Sequence, residues 1–274
     1  MCEIHAICAK FTSNGVANHI MAEAGPSFRV KIARTDADLR AAQALRYDVF
    51  VRELGGGGTL VDHAGGLERD RFDPYFDHML VIDQTNGRVA GVYRLLRDDQ
   101  ARAAGGFYSE DEYDLGVLKS SDRKLLELGR SCLHRDYRGS KAMYHLWTGL
   151  ADYVAEHDID ILFGVASFHG TDPGALAAPL SLLHHNHLAP PDLRVRARTG
   201  HFQSMNLTEP AALDRPRALR EVPALIKAYL RLGGVVGEGA YVDHAFNTTD
   251  VCLVMDTARM NQRQSRLYTK ARPE

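Results

Sequence analysis

The sequence predicts an α/β fold in which a mixed central sheet is flanked by helices. Three observations carry this reading. Strand-like and helix-like stretches follow the order β-α-β-β-β-α-β, with more of both beyond. The run Ile159–Ala166 (IDILFGVA) is almost wholly apolar, as a central strand covered on both faces must be. Directly ahead of it, Gly139–His157 sets Met143, Leu146, Trp147, Leu150, Tyr153 and Val154 on one helical face.

The elements follow in order. Ser27–Ala33 (SFRVKIA) alternates apolar and charged residues, the pattern of a half-buried strand. Thr35 and Asp36 are capping residues for a helix over Ala37–Glu53, where Leu39, Ala42, Leu45, Val49 and Phe50 recur at helical spacing. The four glycines Gly55–Gly58 end that helix and open a mobile loop reaching to about Phe76. The loop is acidic, carrying Asp62, Glu68, Asp70 and Asp73, with Asp77 just beyond. Met79–Asp83 and Val89–Leu96 read as strands joined by a turn at Thr85-Asn86-Gly87. Gly105–Leu118 is irregular, and Lys124–Leu133 is the next strand. If that strand runs parallel to the one at Ile159, the helix between them makes a right-handed crossover.

Beyond come a helix near Ala175–His187, a Pro-Pro break, a strand near Leu193–Ala197 and a helix near Pro223–Leu232. Two more strands are expected at Val235–Val242 and Asp250–Met255. The chain thus divides into an N-terminal arm (1–26), one α/β domain with a C-terminal α/β extension (27–258) and a basic tail (259–274).

The 274 residues include 33 basic and 35 acidic side chains, a formal charge of −2. This balance gives no reason to expect nucleic-acid binding. No apolar run approaches the roughly 20 residues that cross a bilayer, and the first 26 residues lack the basic and apolar regions of a signal peptide. The four cysteines (Cys2, Cys8, Cys132, Cys252) form no C-x-x-C pair. A cytoplasmic protein in a reduced compartment is expected.

Two constellations carry chemistry. In Leu125–Gly139 (LLELGRSCLHRDYRG), Glu127 and Arg130 sit on a strand of an otherwise apolar sheet. Residues three apart face opposite sides unless a bulge intervenes. Glu127 is either half of a structural ion pair, with Arg94 or Arg46, or a carboxylate set in a cleft to handle a proton. The second constellation is Arg46, Phe50 and Glu53 on the first helix, Asp73 and Asp77 around FDPYFDH, and Arg94 on a strand. Arg46 and Phe50 are four apart and share a helix face.

Several motifs occur together and in order: LRYDVF (45–50), F-D-x-x-x-D-H-M-L (72–80), YRLL (93–96), GGFYSE (105–110), LELGRSC (126–132), LFGVASFHG (162–170) and FNTTDV (246–251). On these the chain resembles the ornithine N-alpha-acyltransferases of ornithine-lipid synthesis. They are a branch of the GNAT acyltransferase superfamily related to the acyl-homoserine-lactone synthases. The resemblance covers about residues 27–256 and implies a GNAT-like mixed sheet. It also implies transfer of a (3-hydroxy)fatty acyl group from acyl carrier protein to the α-amine of ornithine. No bound cofactor is expected. The donor is the carrier's phosphopantetheine thioester.

On that resemblance Glu127 is the base that frees the amine, with Arg130 beside it. Backbone N–H groups near Ser131, Cys132 and Leu133 hold the oxyanion. Arg46, Phe50, Asp73, Asp77 and Arg94 shape the acceptor pocket or stabilise the loop. The turn Arg138-Gly139-Ser140-Lys141 departs from the glycine-rich pyrophosphate turn of coenzyme A users. It reads as a site for a single phosphate, in keeping with a carrier-bound donor. The enzyme alternative is a homoserine-lactone-type synthase, and the non-enzyme alternative is a module that binds acyl carrier or lipid.

Other signals weigh less. His184, His185 and His187 lack the spacing of a zinc site, and no metal is expected. Cys132 with His134 has no nucleophile elbow. The amphipathic helix Pro223–Leu232, bearing Lys227 and Arg231, either packs on the core or meets the inner-membrane surface. The basic tail suits a membrane or an acidic carrier protein.

Overall fold

The alternating stretch at the start of the domain forms β1 (Phe28–Ile32), an edge strand antiparallel to β2 (Asp77–Asp83). A computed structural model describes residues 26–244 and 246–260. The N-terminal arm and most of the basic tail, with Cys2 and Cys8, lie outside the described residues. Between β1 and β2 comes α1 (Asp36–Arg46), capped by the Thr35 hydroxyl, which accepts from the Asp38 N–H. The helix expected to reach Glu53 changes at Tyr47 into a π-helical segment, Tyr47–Glu53, whose wider turns carry Phe50.

Next come β3 (Val89–Arg97), α2 (Asp98–Ala104), the short β4 (Tyr113–Asp114), α3 (Gly116–Lys119) and β5 (Leu125–Leu133). The chain continues through α4 (Ala142–His157), β6 (Ile161–His169), α5 (Ala177–His187), β7 (Arg196–Ala197) and β8 (Phe202–Gln203). It finishes with α6 (Arg215–Glu221), α7 (Ala224–Arg231), β9 (Val235–Val236), β10 (Ala240–Asp243) and β11 (Thr248–Asp256). The main sheet runs β1-β2-β3-β5-β6-β11-β10-β8, with β9 also on β11, and β4 pairs with β7 apart from it. Every pairing is antiparallel except β5 with β6, the expected crossover through α4.

Alternation divides the sheet residues between two faces. On one face Leu146, Trp147 and Leu150 of α4 join Met79, Val81, Tyr93 and Leu95 in the largest apolar cluster, together with Ile226 and Tyr229 of α7. Fully burying a side chain such as Leu146 stabilises the fold by about 1.5–3 kcal/mol. The other face packs Ala42 and Leu45 of α1 against Leu80, Val92 and Cys132, and sets Phe107 and Leu118 with Phe163, Cys252 and Val254.

Three expectations are corrected. A helix, α2, precedes the irregular stretch at Gly105, and α6 precedes α7. The strand expected over Val235–Val242 is split into β9 and β10, with Gly239 at a φ of 76° between them. The strand near Leu193–Ala197 shrinks to two residues. The amphipathic helix is α7. Its apolar residues Ile226 and Tyr229 are buried in the core, so that face is not presented to a membrane.

Candidate active site

Strands β5 and β6 pair only over Leu125–Ile161, Leu126–Leu162 and Glu127–Phe163, then separate. Each keeps its outer neighbour, β3 for β5 and β11 for β6, so the facing backbone edges lose each other beyond Glu127. Two cavities meet at this split. One is lined by Leu128, Leu162, Leu225, Tyr229, Leu253 and Met255. The other is polar and lined by Phe76, Arg94, Tyr108, Glu127, Arg130 and Val165. Leu128, Gly129, Arg130 and Val165 border both. Gly164 sets how closely the strands start: a Cβ there would lie 2.2 Å from Leu128 O.

A bulge resolves the parity of Glu127 and Arg130. Arg94 opposes Gly129 and Val92 opposes Cys132, so Tyr93 alone faces both Arg130 and Ser131. Arg130 takes the left-handed conformation, with a φ of 51°, which costs energy in a non-glycine residue. The extra residue brings the Arg130 side chain to the Glu127 side, where both line the polar cavity.

Glu127 is 1% exposed, yet among the described residues no arginine pairs with it directly. Its carboxylate sits at the start of the 3₁₀ turn Tyr108–Asp111, where backbone N–H groups point outward unsatisfied. Tyr108 N–H donates to Oε2 at 2.8 Å, Ser109 N–H donates to Oε1 at 2.6 Å, and the Ser109 hydroxyl donates to Oε1 as well. Gly105 and Gly106, with φ of 85° and 144°, turn the chain into this position, and Glu110 ties the turn back to the Phe107 N–H at 2.8 Å. Burial raises the Glu127 pKa to about 7, against the hydrogen bonds from Ser109 and Tyr108 and the charge of Arg94. A carboxylate tuned to that range exchanges protons near neutral pH.

The arginines and loop acids form one buried network centred on Asp73. Arg46 Nη1 and Nη2 donate to Asp73 at 2.8 and 3.0 Å, and Arg46 Nε donates to Glu68 at 2.5 Å. Arg94 Nη1 donates to Asp70 at 2.6 Å and to Asp73 at 2.9 Å. Gln43 donates to Asp73 at 2.9 Å, and the His78 Nε2–H donates to the Asp73 carbonyl at 3.0 Å. Burial works to raise the Asp73 pKa, but the hydrogen bond and charge of Arg46, with Arg94, hold it well below the usual carboxylate range. Arg130 Nε lies 3.2 Å from Glu68, and its guanidinium stands 5.0 Å from the Tyr108 ring and 5.9 Å from the Phe50 ring. Arg94 keeps Nε and Nη2 buried with no hydrogen-bond partner among the described residues, beside Glu127 in the polar cavity.

The structure therefore brings together Glu127, Arg130, Arg94 and Phe50, with Arg46 and Asp73 behind them. Arg46 is fully buried and clamps the loop to α1. Asp77 separates from this group. It is one residue from His78 on β2 and faces the other side of the sheet, accepting from Arg97 and from the Tyr153 hydroxyl, both at 2.7 Å. Cys132 also turns away: its side chain packs under α1 and burial pushes its thiol up to about 12. The His134 N–H donates to Ala90 O in β3. Alternation then turns the Cys132 N–H towards β3 and the Leu133 N–H towards the split. Ser131, half-buried, lines the larger cavity.

At the mouth of the split, Arg138 is exposed and reaches Glu53 at 2.5 Å and Leu133 O at 3.4 Å. Gly139, with a φ of 83°, turns the chain into α4, and the Ser140 hydroxyl accepts from the Ala142 N–H at 3.1 Å. Lys141 is exposed at that helix start. Tyr108, Ser109, Gln43, Glu68 and Asp70 are site residues that the sequence pattern does not single out. The paired glycines before Phe107 were the available signal, since they mark a tight turn aimed at something.

A model of the acetyltransferase (GNAT) domain matches residues 45–148. An L-ornithine N(alpha)-acyltransferase of Rhodobacter capsulatus is 57% identical over 255 residues, covering 91% of this chain and 98% of that protein. The chain belongs to the L-ornithine N(alpha)-acyltransferase family. It is an acyltransferase, as the resemblance in the sequence implied. The fold is shared with FeeM, an N-acyl amino acid synthase from uncultured soil microbes (TM-score 0.52, 12% identity, 90% of this chain and 99% of that one). It is also shared with the AHL synthase LasI (TM-score 0.50, 18% identity, 90% and 96%).

Proposed function

We propose that this acyltransferase moves a fatty acyl group from a carrier-bound thioester to the α-amine of ornithine, with Glu127 as base. The observation that carries this is the split between β5 and β6, with Glu127 where the strands part. A phosphopantetheine arm is a chain of amides, and the facing strand edges offer it backbone partners, as in an added strand. The thioester carbonyl then comes beside Leu133 N–H, which takes the charge of the tetrahedral oxyanion. Arg138, Gly139, Ser140 and Lys141 stand at the mouth, suited to the arm's single phosphate. The acyl chain takes the apolar cavity against α7.

The acceptor enters the polar cavity. An α-ammonium is mostly protonated at pH 7 and must lose a proton before attack. Glu127 accepts it, and the nitrogen lone pair adds to the thioester carbonyl. Collapse of the intermediate breaks the C–S bond and releases the carrier thiol, which takes up a proton. Arg94 presents two unpaired nitrogens for the acceptor carboxylate. Arg130, Phe50 and Tyr108 form the wall, and Arg46 and Asp73 hold the loop that closes it. Asp77 and the Cys132 side chain take no part. The basic mouth suits an acidic carrier protein, and the acylated product suits a position next to the inner membrane.

The test supplies the purified chain with ornithine and either acyl carrier protein or coenzyme A carrying the same 3-hydroxyacyl group. The expected product, detected by mass spectrometry, is N-acylornithine from the carrier donor. Transfer from coenzyme A alone would overturn the donor assignment. Acylation of S-adenosylmethionine in place of ornithine would favour a lactone-type synthase.

A further inference from the structure

Beyond Glu127 the same face of the sheet carries a second group of acids that the chemistry above does not use. Glu112 is 7% exposed and Asp250 is 5% exposed. Glu112 Oε2 and Asp250 Oδ1 are buried with no hydrogen-bond partner among the described residues. A buried carboxylate oxygen without a partner is costly, and such a pair calls for a cation or a proton.

Their placement relates them to the acceptor. Glu112 ends the 3₁₀ turn whose first N–H groups hold Glu127, and its own N–H donates to Ser109 O at 3.1 Å. Asp250 lies on β11 opposite Ser167 of β6 and Tyr241 of β10. Ser167 is on the strand face of Phe163 and Val165, and Val165 lines the polar cavity with Glu127. The Thr248 hydroxyl donates to Asp250 Oδ2 at 3.3 Å and the Ser167 side chain also hydrogen-bonds to this carboxylate, while Oδ1 finds no partner among the described residues. Asp243 of β10 adds negative charge to both carboxyls, and Arg130 supplies positive charge from the cavity side. The charge of Glu127 also acts on Glu112.

We propose that Glu112 and Asp250 form the subsite for the side-chain ammonium of a dibasic amino-acid acceptor. This rests on the acceptor reading above. Arg94 would take the carboxylate, Glu127 the α-nitrogen and the Glu112–Asp250 pair the distal cation. Three-point binding of this kind selects a dibasic amino acid over a neutral one of the same length. Burial and the charge of Asp250 raise the Glu112 pKa, and burial carries Asp250 to about 6 against a hydrogen bond from Ser167.

The experiment measures kcat/KM with one acyl donor for ornithine, citrulline and 2-aminopentanoate, which has ornithine's carbon skeleton without the terminal amine. The wild type is expected to prefer ornithine by about 100-fold or more. Glu112→Gln and Asp250→Asn are each expected to lower the ornithine-to-2-aminopentanoate ratio by about tenfold or more. An unchanged ratio in folded variants overturns the proposal. The wild-type panel decides even if a variant fails to fold, because equal use of ornithine and 2-aminopentanoate means the pair only shares a proton. A wild type that acylates 2-aminopentanoate but not ornithine, or acylates no amino acid, overturns the acceptor reading itself.

Discussion

Ser109 donates both its backbone N–H and its hydroxyl to the same oxygen of Glu127, and so aims the carboxylate along the split between β5 and β6. The second oxygen accepts from the Tyr108 N–H at 2.8 Å, and burial raises the pKa of the carboxyl. Positioning therefore comes from one short turn, and tuning from burial set against that turn's hydrogen bonds and the charge of Arg94.

Ser109→Ala removes one of these donors and leaves the backbone N–H. A hydrogen bond to a charged group is worth about 1.5–3 kcal/mol, and one pH unit corresponds to about 1.4 kcal/mol. The acid limb of the rate profile is expected to move upward by about one pH unit, with a lower rate at about pH 7. A pH series of kcat/KM checks this, and an unmoved limb would show that the hydroxyl does not act on the base.

Asp73→Asn breaks the hub of a buried network and leaves Arg46 and Arg94 short of a counter-charge. The expected loss is about 3–5 kcal/mol of stability, read as a drop in Tm of roughly 10 °C. Asp77→Asn, on the opposite sheet face and partly exposed, is expected to cost about 1 kcal/mol or less. The pH dependence has a definite sign. The Asp73 pKa is lower folded than unfolded, so its stabilisation is present above the ordinary carboxylate range and is lost as pH falls through the folded value. Denaturant titrations of wild type and Asp73→Asn should therefore converge in acid.

Glu127 acts in the opposite direction. Its folded pKa is raised, so its contribution to stability is present below its ordinary value of 4.5 and is lost as pH rises to about 7. Glu127→Gln abolishes that dependence. Denaturant midpoints at about pH 4.5 and about pH 7.5 are expected to differ less in the variant than in the wild type.

Gly164→Ala places a methyl group against Leu128 O and must push β6 away from β5. The expected cost is about 1–3 kcal/mol, together with a slower transfer that raising the donor concentration does not restore. Thermal unfolding and kcat measured on one preparation check both.

Much of this was legible in the sequence, for reasons that can be stated. The start of β6, residues 161–166, is apolar because both its faces are covered, and the Thr85-Asn86-Gly87 turn follows from its chemistry. The union of Glu127 with Arg130 was legible only as a condition, because a bulge at a non-glycine residue leaves no mark in composition. Spacing groups Asp77 with Asp73, but β2 begins at Asp77 and turns it to the other face. Ser109 was hidden because its role depends on a turn packing against a strand 18 residues away. Glu112 and Asp250 are 138 residues apart and meet only through the sheet order.

The most direct test of the split strands and their carboxylate is single-turnover transfer from a preloaded acyl donor to ornithine, followed against pH in wild type and Glu127→Gln. The expected wild-type profile rises through a midpoint near 7. The variant binds the donor but transfers about 10²–10⁴-fold more slowly, with no such rise. A variant that transfers at the wild-type rate across the same range would contradict the assignment of Glu127 as the base.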